Sequence, residues 1–314
     1  MTNRPQKIVI PGGAGLVGQN LIIRLKQHGH KNLVVLDKHR ANLAILRRLH
    51  PDITAEYADL AERGDWTRHF ENASVIVMLQ AQIGAATAAP FIRNNLATTE
   101  LILAAIRRYE TPYTVHVSSS VVESVAVDDY TTTKRQQEQL VLESGITCVV
   151  LRPTLMFGWF DRKHLGWLSR FMHRIPVFPI PGHGRFVRQP LYAGDFCNLI
   201  ISCIHSRISG KVFNITGLQR VTFIDIVREL RRATESRSVI VKIPYPIFHL
   251  LLRLWMLVDP DPPFTTDQLT ALIAGDEFEI IDWERIFGIV ATPFRMAIDE
   301  TFCHPVYSKI VLEF

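Results

Sequence analysis

Over the first 155 or so positions the apolar residues fall in two textures, short unbroken runs and longer stretches where they recur every three or four residues. The runs "KIVIPGG", "NLVVLDKH", "ITAEYADL", "ASVIVMLQA", "YTVHVSSS" and "TCVVLRPT" are rich in β-branched residues, which predicts six strands. Between them, "AGLVGQNLIIRLKQHGH" sets Leu16, Leu21, Ile22 and Leu25 at helical spacing with Gly29 past the end, and "NNLATTELILAAIRRY" and "TTTKRQQEQLVLESG" also read as helices. The opening forty residues therefore make one βαβ unit, and the continuing alternation asks for an α/β fold with a doubly wound parallel sheet.

Past "LRPTLMFG" the chain turns aromatic and proline-rich ("WFDRKHLGWLSRFMHRIPVFPIPGHGRFVRQP"), the texture of a smaller substrate-side lobe. "KVFNIT" reads as one more strand returning to the sheet, and "TFIDIVRELRRATES" as an amphipathic helix. The expected division is a dinucleotide-binding domain over 1–152, rejoined by 191–217, with a C-terminal lobe built from 153–190 and 218–314. One segment, "IPYPIFHLLLRLWMLV" (243–258), is strongly apolar. A spanning helix needs roughly 20 apolar residues, and this run is shorter, opens with two prolines and carries His249 and Arg253. It is read as a lobe helix with its apolar face buried, or else as an interfacial helix giving peripheral membrane contact or a partner-docking face.

Composition removes several alternatives. At 314 residues and 47% hydrophobic content the chain builds a real core. The net charge of +5 is scattered ("RRLH", "IRRYE", "RELRRATESR") rather than blocked, so a nucleic-acid partner is not expected, although anionic ligands suit such a field. Cys148, Cys197, Cys203 and Cys303 show no CxxC spacing and read as buried thiols of a reducing compartment. The amino terminus has no signal-peptide pattern, which makes the cytoplasm the expected location. No HxxxH or HExxH occurs, so no metal site is expected; the nearest histidines, His28 and His30, stand at a helix end.

Chemistry enters with "PGGAGLVGQ", where Gly12, Gly15 and Gly18 satisfy GxxGxxG and Gly13, Gly15 and Gly18 satisfy GxGxxG. Such glycines allow the tight turn and close approach of backbone to a pyrophosphate resting on the following helix N-terminus. Asp37 ends the next strand nineteen residues past Gly18, as a Rossmann-type dinucleotide site requires. Its carboxylate suits the ribose hydroxyls of NAD and opposes a 2′-phosphate, so NAD is favoured over NADP, with Lys38 and Arg40 placed to soften that repulsion. Asp59 in "YADL" is positioned either for the adenine amino group or as a helix N-cap. The serines of "VHVSSS" end a strand at the carboxyl edge of the sheet, where open α/β folds bind ligands, and Tyr130 and Lys134 follow one helical turn apart. A phenol of pKa ~10 becomes a usable base only when an ammonium and a nicotinamide cation stabilise its phenolate. Tyr130 is then the expected proton acceptor from a substrate alcohol, Lys134 the residue that also holds the nicotinamide ribose, and a serine the holder of the substrate oxygen.

In order along the chain, "GGAGLVG", Asp37, Asp59, "VIVMLQAQ", "NNLATTELILAA", "VSSS", "YTTTK", "LRPTLMFG" and "RQPLYAGDF" resemble the extended and atypical branches of the short-chain dehydrogenase/reductase superfamily, the NAD-dependent epimerases and dehydratases among them. The resemblance implies catalysis by Tyr130, Lys134 and one of Ser118, Ser119 and Ser120. It implies cofactor contacts at Gly12, Gly15, Leu16, Val17, Gly18, Asp37, Asp59, Leu60, Leu79, Gln80, Ala81, Asn95, Lys134 and Pro153. By the same resemblance Arg188 reaches the phosphates of an anionic sugar substrate, and the helices bearing "NNLATTELILAA" and "YTTTKRQQEQLV" are those that pair in a homodimer. Two departures stand out. Only twelve residues separate Ser118 from Tyr130, about half the crossing in sugar-nucleotide epimerases, and "SSSVVES" lacks the Asp-Glu pair of a dehydratase. The short crossing, "RPTLMFGWFDR" and "PPFTTDQLTAL" are instead similar to the branch of the NADPH-binding accessory subunit of respiratory complex I. The expected function is an NAD-dependent epimerase or oxidoreductase acting on a hydroxyl of a nucleotide-activated or lipid-linked sugar. The alternatives are a non-catalytic assembly protein holding a dinucleotide and a reductase of an apolar alcohol or ketone.

Overall fold

The computed structural model describes residues 6–125, 128–258, 269, 272 and 278–313. Seven strands, β1 (Ile8–Pro11), β2 (Leu33–Asp37), β3 (Thr54–Tyr57), β4 (Val75–Met78), β5 (Thr114–Val117), β6 (Cys148–Pro153) and β7 (Lys211–Ile215), form one sheet in the order β7-β6-β5-β4-β1-β2-β3. Every pairing in it is parallel. The six expected runs are all strands, and "KVFNIT" supplies the seventh beside β6. Strand order reverses between β1 and β4, and the crevice outside the carboxyl ends of the strands at that point is where doubly wound sheets bind ligands.

Alternation along the strands sends apolar side chains to both faces, and helices close each side. On one face α1 (Leu16–Gln27), through Leu21, Ile22 and Leu25, and the helix Ala193–Ser206, through Phe196, Leu199 and Ile200, cover Ile8, Ile10, Val115 and Val117. On the other, α2 (Thr98–Arg108) and α3 (Asp129–Leu142) bring Ile102, Leu103, Ile106 and Val141 onto Val9, Ile76 and Met78. Each such buried aliphatic contributes about 1.5–3 kcal/mol through removal of apolar surface from water.

The helix expected from "NNLATTELILAA" begins earlier, at Ala88, and runs through a π-helical turn at Ile92–Ala97 before α2. The lobe packs the helices Leu165–Arg174, Phe223–Ala233 and Phe294–Cys303 around Met172, Phe178, Ile226, Leu230 and Ile298, with a parallel strand pair, Val177–Pro181 and Val239–Ile243, at its side. Two expectations need correction. Cys148, Cys197 and Cys203 are buried, but Cys303 is exposed, because it ends a helix at the lobe surface. The helix in 243–258 forms, over Tyr245–Val258, yet of its apolar side chains described, Phe248 is buried while Ile247, Leu250, Leu251 and Leu254 are exposed. Among the described residues no helix is long and apolar enough to cross a membrane. Apart from Leu269 and Leu272, "PPFTTDQLTAL" lies outside the described residues.

Candidate active site

The glycine loop fills the crevice at the β1/β4 switch. Gly12 has φ +74°, and a Cβ there would stand 2.5 Å from the backbone of Gln80, so the loop lies flat on the end of β4. At Gly18 a Cβ would stand 2.2 Å from the Gly13 carbonyl oxygen, which fixes how closely α1 approaches the loop. Gly15 is different. It is the N-cap of α1, no side chain caps the helix, and an added Cβ would meet only the Gly12 carbonyl at 3.8 Å. The helix end therefore presents backbone N–H groups to open space, the arrangement that binds a pyrophosphate.

Asp37 closes the far side of the loop. Its Oδ2 accepts from the Ala14 N–H at 3.0 Å and its Oδ1 from the His39 N–H at 2.9 Å, leaving further lone pairs for ribose hydroxyls. The neighbouring cations have other partners. Lys38 Nζ donates to Asn94 at 2.5 Å, and the Arg40 guanidinium stacks 3.8 Å over the Tyr57 ring. Asp59 caps no helix, because the next helical turn starts at Asp65 with Gly64 as its cap; instead its carboxylate accepts from Ala61 N–H at 3.1 Å within a turn and pairs with Arg93 at 2.9 Å. Burial raises its pKa, but the Arg93 and Ala61 bonds outweigh this and hold it below the ordinary carboxylate value. The Leu60 side chain is buried with Trp66 and Phe70 in the core, which leaves its backbone as the part that could meet a ligand. Leu16 and Val17 stand half-buried in the first turn of α1, and Leu79, Gln80 and Ala81 follow β4 at the crevice. Pro153 ends β6 against Ile215.

Asp128 caps α3, accepting from Thr131 N–H at 2.7 Å, and so sets Tyr130 in the first turn beside the carboxyl end of β5. The three serines diverge. Ser118 is buried with its hydroxyl unpartnered, Ser120 opens a short 3-10 turn, and Ser119 is the one hydrogen-bonded to the Tyr130 phenol. Burial raises the Tyr130 pKa, the Ser119 bond lowers it and Asp128 raises it, so the phenol is held protonated above its ordinary range.

Lys134 is fully buried, which drives its pKa down to about 8, with Glu138 pulling the other way. Its Nζ donates to Gln137 Oε1 at 2.5 Å and to the Val117 carbonyl at 3.4 Å. Gln137 in turn donates to Thr99 at 2.9 Å and to the Gln80 carbonyl at 3.4 Å, which ties the lysine to the end of β4. Asn95, carried on the π-helical turn, is wholly buried, donates to Thr133 at 3.0 Å and accepts from Gln82 N–H at 2.7 Å, linking the same two segments. Glu138 is neutralised by Arg152 at 2.5 Å, and Arg152 also pairs with Glu123 at 2.5 Å. Beneath Lys134 the imidazole of His116, buried with both nitrogens unpartnered, is kept neutral by burial and by the lysine charge. Gln137, Thr99, Glu138, Arg152 and His116 were not singled out from the sequence. The available signal was the run of polar residues at 133, 134, 137 and 138, which share the face of α3 that also carries Val141.

Arg188 stands in the lobe, on the strand Val187–Arg188 paired antiparallel with Val221–Thr222. The Asp195 of "PLYAGDF" binds Thr292, through its N–H at 3.0 Å and its hydroxyl at 2.7 Å, and so ties the sheet's last covering helix to the lobe.

The family model for the NAD-dependent epimerase/dehydratase family matches residues 8–216, which takes in the glycine loop, Asp37, Tyr130, Lys134 and all seven strands. The chain belongs to the NAD-dependent epimerase/dehydratase family. It is thereby an enzyme of the extended short-chain dehydrogenase/reductase type with NAD as cofactor, and the open cradle over Gly15 with the Asp37 carboxylate beside it fits that cofactor. Among characterised relatives, the chain is 25% identical over 299 residues to a 4-hydroxy-2-methyl-3-oxo-4-farnesyl-3,4-dihydroquinoline-1-oxide ketoreductase of Stigmatella aurantiaca, covering 87% of this chain and 88% of the relative. It is 23% identical over 308 residues to a ceramide reductase of Caulobacter vibrioides, covering 95% and 93%. Among solved structures, the UDP-glucose 4-epimerase of Thermotoga maritima superposes with a TM-score of 0.73 at 17% identity, covering 94% of this chain and 97% of that one. The NAD complex of the UDP-glucuronic acid 4-epimerase of Bacillus cereus gives 0.67 at 21%, covering 76% and 88%. At such identities these structures establish the shared fold.

Proposed function

We propose that this family member interconverts a secondary alcohol and a ketone on a nucleotide-activated or lipid-linked sugar, with Tyr130 as the proton-transferring group. The observation that carries the reading is the Tyr130 phenol, protonated and hydrogen-bonded to Ser119, on the same helix as a lysine whose ammonium is held in place by Gln137. NAD, when bound, supplies the site that takes or returns hydride. Ser119 orients the substrate oxygen, and Tyr130 gives it a proton in the reducing direction or removes one in the oxidising direction. Lys134 makes the second direction feasible, since its charge lowers the cost of the phenolate. Arg188 provides a cation in the lobe for an anionic group of the substrate.

A second reading, reduction of an apolar ketone, is favoured by one observation. The ketoreductase and ceramide reductase relatives align over 87% and 95% of the chain, whereas the sugar-nucleotide dehydratase relatives align over 72–73%. The crossing of twelve residues from Ser118 to Tyr130 leaves little loop to lie on a sugar.

The test presents the protein with NADH and either UDP-4-keto sugars or long-chain β-keto esters and follows NADH absorbance. Turnover of the first set alone supports the sugar reading, and of the second alone the apolar one. Exchange of Tyr130 for Phe is expected to cut turnover by roughly 10²–10⁴-fold while NAD affinity is kept. A loss below tenfold with either substrate would refute the role of Tyr130.

A further inference from the structure

The helix Tyr245–Val258 is built inside out. Phe248 is 8% exposed and faces the protein, while Ile247, Leu250, Leu251 and Leu254 are 52%, 56%, 49% and 52% exposed. At 100° per residue these four fall within one arc of about 100°, with Phe248 and Leu252 to one side of it and Arg253 on its other flank. Lobe helices of a water-facing surface place polar residues there. Apolar side chains are also exposed on the strand pair leading into the helix. Val239 is paired with Val177, and the two are 56% and 48% exposed, with Val241 two residues on at 39%.

Charge selects the occupant. From Ser236 to Val258 the chain contains Arg237, Lys242 and Arg253, all exposed, and no Asp or Glu. A second copy docked face to face would bring these cations together, whereas an anionic bilayer surface satisfies the apolar face and the cations at once. The helix has 14 residues, about 21 Å at 1.5 Å per residue, against a hydrocarbon core of roughly 30 Å, so it lies in the interface and does not cross it. We propose that the helix Tyr245–Val258 and the adjoining strand edge dock the protein on an anionic membrane surface, which would set the lobe beside lipid-borne substrates.

The test is vesicle flotation of the full chain with NAD and no substrate, so its outcome is independent of the reaction proposed above. Vesicles of phosphatidylcholine alone are compared with vesicles carrying roughly one-third phosphatidylglycerol, at low salt and at about 0.5 M salt. Binding is expected on the anionic vesicles, weakened by salt. The variant Leu250→Glu/Leu254→Glu should lose at least about tenfold in bound fraction with its melting temperature unchanged, since both side chains are exposed. Should it melt early, Ile247→Ser/Leu251→Ser replaces it. Lys242→Glu/Arg253→Glu should bind weakly and without salt dependence. Absence of binding to anionic vesicles overturns the proposal. So does equal binding by the leucine variants, or a wild-type dimer that these variants convert to monomer without any vesicle binding, which would make a second copy the occupant.

Discussion

Lys134 carries a measurable cost. Its ammonium sits fully buried between α3 and the sheet, and its pKa falls from 10.5 to about 8 chiefly because burial penalises the charge. At about 1.4 kcal/mol per unit, holding it charged at pH 7 costs about 3 kcal/mol of folding stability. The sign follows from proton counts. Between pH 8 and 10.5 the unfolded lysine still binds its proton while the folded one has released it, so stability gains as pH rises through this window. Lys134→Met removes the term. The variant also changes packing and leaves Gln137 without its donor, but those effects do not depend on pH and drop out of the comparison. Denaturant unfolding of wild type and Lys134→Met at intervals from pH 7 to 10.5 should therefore show ΔΔG moving by about 3 kcal/mol in favour of wild type as pH rises. The cysteines and the buried tyrosines away from Lys134, Tyr113 and Tyr192, titrate in both proteins alike and cancel. Parallel stability curves would refute the reasoning, because they would mean that the folded Lys134 titrates as it does in the unfolded chain.

The loop predicts a division between stability and binding: Gly12→Ala, forced to φ +74° with its Cβ 2.5 Å from Gln80, should lower stability by about 2–3 kcal/mol, whereas Gly15→Ala should melt normally and lose NAD affinity by roughly tenfold or more in titration calorimetry. Replacing Asp37 with Ser should bring the NAD and NADP dissociation constants together, since the carboxylate opposing a 2′-phosphate is gone; an unchanged ratio would remove Asp37 from cofactor selection. Exchange of Arg152 for Met leaves the Glu138 charge uncompensated beside Lys134, so the alkaline limb of the kcat/KM profile should move to higher pH, and an unmoved limb would show that Lys134 does not govern it.

The sheet was legible because each strand is an unbroken β-branched run, a signal that needs no knowledge of partners. Asp37 and the glycines stood out for a different reason, since their spacing along one strand-turn-helix-strand unit is itself the signal. What spacing does not carry is pairing between remote segments. Asp59 is engaged by Arg93, 34 residues away, and Gln137, which orients Lys134, is held by Thr99, 38 residues from Gln137. The π-helical turn was invisible because "NNLATTELILAA" holds its apolar period while the backbone bonds change register. Three serines in a row read alike, and the fold separates them by the pleat: Ser118 turns inward and Ser119 reaches Tyr130. The helix in 243–258 was judged by its length, prolines and composition, which do not say on which side a helix is covered.

That α3 forms at all follows from how its buried face is satisfied. Thr133, Lys134, Gln137 and Glu138 are buried with Val141, so the helix turns mostly polar groups to the sheet and gains little from apolar burial there. Each polar group is instead matched. Thr133 accepts from Asn95, Gln137 bridges Lys134 to Thr99, and Glu138 takes the fork of Arg152 at 2.5–3.1 Å. Burial outweighs the Glu138 carboxylate, so the lysine stays near 8, where it remains protonated at neutral pH yet weakly held. An apolar face would give a more stable helix and no such ammonium. The polar face is thus retained at the expense of stability, and its arrangement keeps one poorly solvated charge on the same helix as Tyr130, one turn away from it.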